Sequence, residues 1–339
     1  MNLLVFEYSS IYYDNTLLSE GFNMLKAILN DLAEDNNINV DYLLNSKLTI
    51  DINNNKFNCI RVDDNLISWL KCNSYMYDYC IFIAPEDDYI QYNISKILEE
   101  NNVKIIGSTS HASYICTSKI RTYENIKDIK KIPTYKIDLN SNDDLNYEKI
   151  GEFISEYHTC IIKPDNMTSS DYIYKIHSID ELIIKLEIYK KNDIKTILLQ
   201  EYIDGKSCSV SIINTHTYFN VICINSQEII NENNKLLYHG CKTPIDHPLK
   251  NEIIEISKNI TSQISGLYGF FGIDYIIKDN MIYLVEINSR FTTPFIVLSD
   301  IVSENLTYSI IDGVLNDNLN QINLENNSGE FTKKLKGVK

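Results

Sequence analysis

Positive charge is in short supply in this chain. Its 31 lysines and arginines stand against 46 aspartates and glutamates, a formal net charge of -15 at pH 7. That balance excludes a general nucleic-acid surface and a polybasic membrane anchor, so any anionic ligand must be met by individually placed cations or by a metal. Metal-ligand cysteine spacing is missing too. None of the eight cysteines lies in a CxxC or Cys/His arrangement, and Cys80, within Tyr79-Cys80-Ile81-Phe82, reads as a reduced core residue. No basic n-region followed by an apolar run opens the sequence, and no uncharged run is long enough to span a bilayer. A soluble, cytoplasmic protein is the expectation. Signatures of Ser/His/Asp or Cys/His nucleophilic catalysis are absent, as are internal repeats.

What is present is a globular chain of 339 residues, 44% hydrophobic, long enough for two or three domains. Apolar runs at 2–8, 40–44, 77–84 and 103–106 read as strands, and 17–32 and 90–99 carry helical spacing. This alternation predicts a parallel, Rossmann-like sheet over roughly the first hundred residues. Its first turn, Glu7-Tyr8-Ser9-Ser10, lacks GxGxxG, which argues against a dinucleotide. Glu7 and Glu86 close predicted strands at the edge where ligands collect, either as helix caps or as partners for a substrate ammonium.

Further along, Thr117-Ser118-Lys119 opens a helix expected to end at Ile132-Pro133. Lys119 opposes the macrodipole there, a placement that a phosphate would relieve. Strands are expected at 135–137, 160–164, 172–176 and 196–203, with helices at 147–156 and 179–189. Lys163 ends an apolar strand, where a desolvated ammonium needs an anion. Residues 200–205, Gln-Glu-Tyr-Ile-Asp-Gly, form a strand-to-turn hinge with an acid and free backbone groups suited to an adenine edge. A β pair at 207–213 and 218–224 precedes a polar loop. His239 and His247 read as structural loop residues, 252–267 and 301–315 as helices, and 316–339 as a frayed tail.

Residues 269–294 hold the densest chemistry. Two β runs joined by Asp279-Asn280 bring Asp274 opposite Val285 or Glu286, depending on whether the loop has two or three residues, while Glu286 and Asn288 share a face. Two close carboxylates repel unless something neutralises them, and two acids with an amide oxygen suit Mg²⁺. Arg290 follows as a fixed cation for phosphate or an oxyanion. Taken without its neighbours, the same hairpin is a solvated pair of strands with acids facing water.

Lys119, Lys163-Pro164, Gln200-Glu201-Tyr202-Ile203 and Asp274 with Glu286-Ile287-Asn288-Ser289-Arg290 stand in an order that resembles the ATP-grasp ligases. The resemblance implies a Rossmann-like α/β domain (1–110), a lid subdomain (111–199), an α+β C-terminal subdomain carrying the metal site (200–315) and a tail (316–339). It implies ATP with Mg²⁺ or Mn²⁺. Lys119 and Lys163 would contact phosphate, Glu201 and the Ile203 backbone adenine, Asp274, Glu286 and Asn288 the metal, and Arg290 the transferred phosphate or acyl intermediate. Two features depart from the pattern: residues 165–171 contain no glycine, leaving the Thr168, Ser169 and Ser170 hydroxyls as donors, and Ser207 stands where a ribose-binding acid is usual. Within the superfamily, residues 5–8, 83–86, 240–248 and 286–294 resemble the ligases of methanofuran biosynthesis that join the γ-carboxylate of L-glutamate to the amine of tyramine through an acylphosphate. Small-molecule partners are expected, without nucleic acid or membrane, and a homodimer is allowed. A ligase for another amino acid or peptide, or a nucleotide-binding regulator without turnover, are the alternatives.

Overall fold

A computed structural model of the chain describes residues 1–14, 17–34, 38–140, 145–168, 172–319, 321–324 and 327–333. The first hundred residues form the expected parallel sheet. Strands β1 (Asn2–Glu7), β2 (Asn39–Leu44), β3 (Phe57–Arg61), β4 (Tyr79–Ile83) and β5 (Lys104–Ile105) lie in the order β3-β2-β1-β4-β5. Helices α1 (Tyr8–Tyr12), α2 (Leu18–Ala33), α3 (Leu66–Asn73) and α4 (Ile90–Glu100) connect them. In α2 the buried positions Gly21, Met24, Leu25, Ile28, Leu29 and Leu32 fall on one stripe, which packs on Leu3, Val5 and Ile81 of the sheet.

Helices α5 (Ser110–Thr117) and α6 (Lys119–Asn125) follow, then β6 (Thr134–Asp138), α7 (Tyr147–Tyr157), β7 (Cys160–Pro164), β8 (Tyr174–Ile176), α8 (Ile179–Lys191) and β9 (Thr196–Glu201). The remaining elements are β10 (Lys206–Asn214), β11 (Phe219–Glu232), β12 (Lys235–Ile245), α9 (Lys250–Gln263), β13 (Gly269–Lys278), β14 (Met281–Asn288), α10 (Pro294–Ile301), α11 (Leu306–Asn316) and β15 (Gly329–Thr332). From β6 onward the described strands make one antiparallel sheet, β14-β13-β10-β11-β12-β8-β7-β9-β6, with β15 added to β12. The division expected between 199 and 200 falls inside β9, which pairs with β6 and β7. Between the two halves of this sheet a single described residue pair, Lys235 with Tyr174, joins β12 to β8. No described helix is long and apolar enough to cross a membrane.

Four expectations are corrected. The helix opened by Ser118 stops at Asn125 instead of 132, because residues 126–131 leave helical geometry and run beside β14, Leu284 N–H donating to Lys130 O at 3.0 Å. The polar loop after 224 is a continuation of β11, which turns at Asn233-Asn234, both at positive φ, into β12. The helix expected at 301–315 starts only at Leu306, because a separate helix, α10, ends at Ile301 and residues 302–305 leave helical geometry. Part of the frayed tail is β15, paired antiparallel along Gly240–Thr243 of β12.

Asp31, on α2, ties the two ends of the chain together. It accepts the Thr307 N–H at 3.1 Å and hydroxyl at 2.6 Å at the start of α11. Burial pushes its carboxyl up from 3.8 to about 6. A raised folded value means that the protonated form favours folding, so this contribution is complete below 3.8 and is lost as pH rises through about 6. Asp31→Asn keeps the acceptor without the charge. It should raise the urea-unfolding free energy at pH 7 by about 1–2 kcal/mol and flatten the fall in stability between about pH 4 and 6. A variant with the wild-type slope and no gain at pH 7 would contradict the account.

Candidate active site

Asp274 and Glu286 meet through a defect in the hairpin. Asp279 and Asn280, both at positive φ, make the two-residue turn, and pairing runs in register from Lys278↔Met281 to Tyr275↔Leu284. A bulge then skips Val285, so Asp274 pairs with Glu286 and Gly272 with Asn288. Without the bulge, Val285 would oppose Asp274 and Glu286 would turn toward the core that holds Leu284 and Ile273. With it, Glu286, Asn288 and Asp274 all line one cleft of about 430 Å³.

The electrostatics of these acids are lopsided. Burial pushes the Asp274 carboxyl up to about 7, with the Glu286 charge adding to the shift. Burial also works to raise Glu286, but the Lys119 and Lys163 charges outweigh it and hold Glu286 below the ordinary glutamate value. Asn288 Nδ2 donates to Asp274 Oδ2 at 3.3 Å, and the Gln227 side chain hydrogen-bonds the same carboxylate. Gln227 lies on the part of β11 that the sequence presents as a polar loop, with no local signal of a site.

Both lysines lie beside this pair. Ser118 caps α6 by accepting the Arg121 N–H, which sets Lys119 in the first turn and buries it. Its Nζ stands 3.2 Å from Glu286 Oε2 and donates to Met167 O at 2.8 Å. Burial works to lower the Lys119 ammonium, yet Glu286 holds it above the ordinary value. Lys163, near the end of β7, is buried with no carboxylate at ion-pair distance among the described residues. Burial, and then the Lys119 charge, pull it down to about 8.

The loop after β7 is fastened at its near end. Asp165 accepts the Ser118 hydroxyl at 2.6 Å and the Ile120 N–H at 2.9 Å. Thr168 donates its N–H and hydroxyl to Asp87 Oδ1 at 2.6 and 2.8 Å, so that hydroxyl faces a carboxylate. Ser169, Ser170 and Asp171 lie outside the described residues. At the hinge, the Glu201 N–H donates to Pro133 O and the Tyr202 N–H to Thr159 O, while Ile203 O accepts the Gly205 N–H. Ile132, Ile161, Ile203 and Ile276 wall this end of the cleft, an apolar slot suited to a flat base. Ser207 lines the cleft as well.

Arg290 reaches the cleft with a fixed partner. Its Nε donates to Glu86 Oε2 at 2.9 Å and its Nη1 to Phe291 O at 3.1 Å. Glu86 is buried, its carboxyl raised by burial against the pull of Arg290, and its Oε1 has no partner among the described residues. Glu7 is a cap: it accepts from the N–H and hydroxyl groups of Ser9 and Ser10 at 2.6–2.8 Å. A Cβ at Gly21 would stand 2.3 Å from the Glu7 carboxylate carbon, so helix α2 lies directly on that acid. His247 Nδ1 accepts the Leu249 N–H at 3.1 Å, a loop-forming role. Sequence reasoning passed over Glu20, Tyr238, Thr293 and Lys333, which line the opposite end of the cleft and come from four separate stretches of chain.

The pattern of the ATP-grasp domain matches residues 116–294. Over 298 residues the chain is 30% identical to a tyramine–L-glutamate ligase of Methanocaldococcus fervens, covering 86% of this chain and 87% of that one. Among solved structures, N5-carboxyaminoimidazole synthetase of Staphylococcus aureus complexed with ADP superposes with a TM-score of 0.71 at 15% identity, over 95% of this chain and 79% of the other. D-alanine–D-alanine ligase of Bacillus anthracis complexed with ATP superposes with a TM-score of 0.60 at 18% identity, over 85% and 86%.

Proposed function

The chain belongs to the ATP-grasp family of ligases, and from that premise we propose that it joins the γ-carboxylate of L-glutamate to the amine of tyramine, or of a closely similar amine, using ATP. The observation that carries the ligase chemistry is the bulge at Val285, which turns Glu286 to face Asp274 beside Lys119 and Lys163. The choice of glutamate and tyramine is supported by the similarity to the Methanocaldococcus ligase.

The donor set fits a hard divalent cation. Two carboxylates are forced together, one of them pushed up to about 7, and Asn288 adds an amide at the same spot. Bound there, Mg²⁺ or Mn²⁺ would neutralise the charge of the ATP phosphates. Lys119 and Lys163 hold phosphate oxygens from the other side, the hinge from Glu201 to Ile203 receives the adenine edge, and Arg290 steadies the transferred group. The substrate carboxylate attacks the γ-phosphorus and ADP leaves. The amine, as the free base, then attacks the acyl carbon, the C–O bond to phosphate breaks as phosphate departs, and the nitrogen gives up a proton to solvent, leaving the amide. Positioning and charge neutralisation suffice for both steps, so no side-chain nucleophile is called for.

ADP release measured with MgATP, L-glutamate and tyramine tests this directly. Release requiring both substrates, with the amide found by mass spectrometry, is expected. Background release with that pair, alongside turnover with another acid or amine, would overturn the specific assignment.

A further inference from the structure

The charged groups that line the cleft sort into those with work and one pair without. Of the acids, Glu7 caps α1, Asp274 and Glu286 face each other, and Glu201 sits at the hinge; Glu20 remains. Of the bases, Lys163 belongs to the phosphate end and Arg290 to Glu86; Lys333 remains. The two left over touch each other: Lys333 Nζ lies 2.7 Å from Glu20 Oε1, with the side chains only 21% and 14% exposed.

Both ends of this pair are anchored. The Thr293 hydroxyl donates to Glu20 Oε2 at 2.7 Å, so both carboxylate oxygens are engaged. Lys333 follows directly on β15, and its N–H donates to His239 O at 2.7 Å. The docking of β15 depends on Gly240, where a Cβ would stand 2.1 Å from Phe331 O. Thr293 is three residues beyond Arg290, so their Cα atoms are at most about 10 Å apart. One short stretch of chain therefore carries the reacting end of the cleft at one end and the ion pair at the other.

We infer that Glu20 and Lys333 form a clamp for the head group of an α-amino acid, Glu20 taking its ammonium and Lys333 its α-carboxylate, while the side-chain carboxylate points to the phosphates. This rests on the ligase reading and narrows it to acids activated through a side chain. The charge arithmetic selects for such a ligand. A zwitterion slipped between the pair exchanges one ion pair for two and leaves no charge unpaired. An amine without a carboxylate would occupy Glu20 and leave the largely shielded Lys333 without an anion; a dicarboxylate without an amine would do the reverse. Each missing charged partner should weaken binding about tenfold or more.

Calorimetric titration of the full chain, with Mg²⁺ and a non-hydrolysable ATP analogue, reads this out with three ligands. L-Glutamate has both head groups, 4-aminobutyrate lacks the α-carboxylate, and glutarate lacks the amine. The native protein should bind glutamate at least about tenfold more tightly than either analogue. Lys333→Met should collapse the preference over 4-aminobutyrate and keep that over glutarate, and Glu20→Gln should do the opposite. A purely structural ion pair would shift the melting temperature in both variants and move neither ratio. Unchanged ratios, or binding of none of the three, overturn the clamp. If none binds while ADP release with another acid persists, the ligase reading stands without it. If the ratios move as expected but no amine supports turnover, the clamp stands and the ligase reading falls.

Discussion

Glu286→Gln should lower MgATP-dependent ADP release by about a thousandfold. The carboxylate faces Asp274 across the bulge, forms the ion pair with Lys119 and offsets the charge of Lys163. Glutamine keeps the volume but removes the anion that both ammonium groups share and that the proposed metal would use, and losing one preorganised electrostatic partner in a dry site costs about 10²–10³ in rate. The loss also reaches the fold. Breaking a buried pair from one side destabilises by about 3–5 kcal/mol, because the partner charge stays behind. Lys119 and Lys163 then repel with less to hold them, so the nucleotide-free variant should melt earlier than native protein. Turnover within about tenfold of native, in a variant shown by circular dichroism to be folded, would remove Glu286 from the metal platform.

Arg290→Met should be nearly as damaging, by two routes that can be separated. Glu86 would lose Arg290, its ion-pair partner among the described residues, while its Oε1 already lacks a partner there, leaving a buried carboxylate without a countercharge. That costs about 3–5 kcal/mol of stability. If Arg290 also steadies the transferred group, turnover falls by about 10²–10³. Replacing Glu86 and Arg290 together with methionine removes the stranded charge and should recover most of the stability, since apolar replacements for a buried pair are commonly neutral. Turnover should stay lost. Recovery of both in the double variant would mean that Arg290 only supports the fold. Arg290→Lys should not rescue activity, because an ammonium cannot reproduce the two-directional guanidinium contact with Glu86 and Phe291.

How much of this was legible in the sequence follows from how local each determinant is. The hairpin turn, the Lys119 cap and the apolar strand ending near Lys163 are encoded within a few residues, and they formed where expected. The register of Asp274 was open between Val285 and Glu286. A two-residue turn alone predicts Val285, and only the bulge, which no residue type announces, selects Glu286. The distal half of β11, Ser226 to Glu232, puts its two apolar residues, Ile229 and Ile230, on opposite faces among polar ones, so its strand character comes from pairing with β12 and not from periodicity. Residues 126–131 lost helical form to a partner more than 150 positions away, as Lys131 bridges to Leu284. The Glu20 end of the cleft was out of reach for the same reason: its residues meet through the fold, and each is ordinary alone. Glu7 and Glu86, the acids that strand position recommended for a substrate ammonium, are both occupied internally.

The single pairing of Lys235 with Tyr174 has a mechanical meaning. Strands β6 to β9 carry Lys163 and the hinge, whereas β10 to β14 carry Asp274, Glu286 and Asn288, and every ladder within either group is longer than the one between them. A rotation about that seam leaves the long ladders intact while it changes the gap between the lysine of one plate and the carboxylates of the other. That seam is the weakest strand pairing in the sheet, and a ligand that turns anionic oxygens to the lysine and a cation to the carboxylates would hold the two plates together across it.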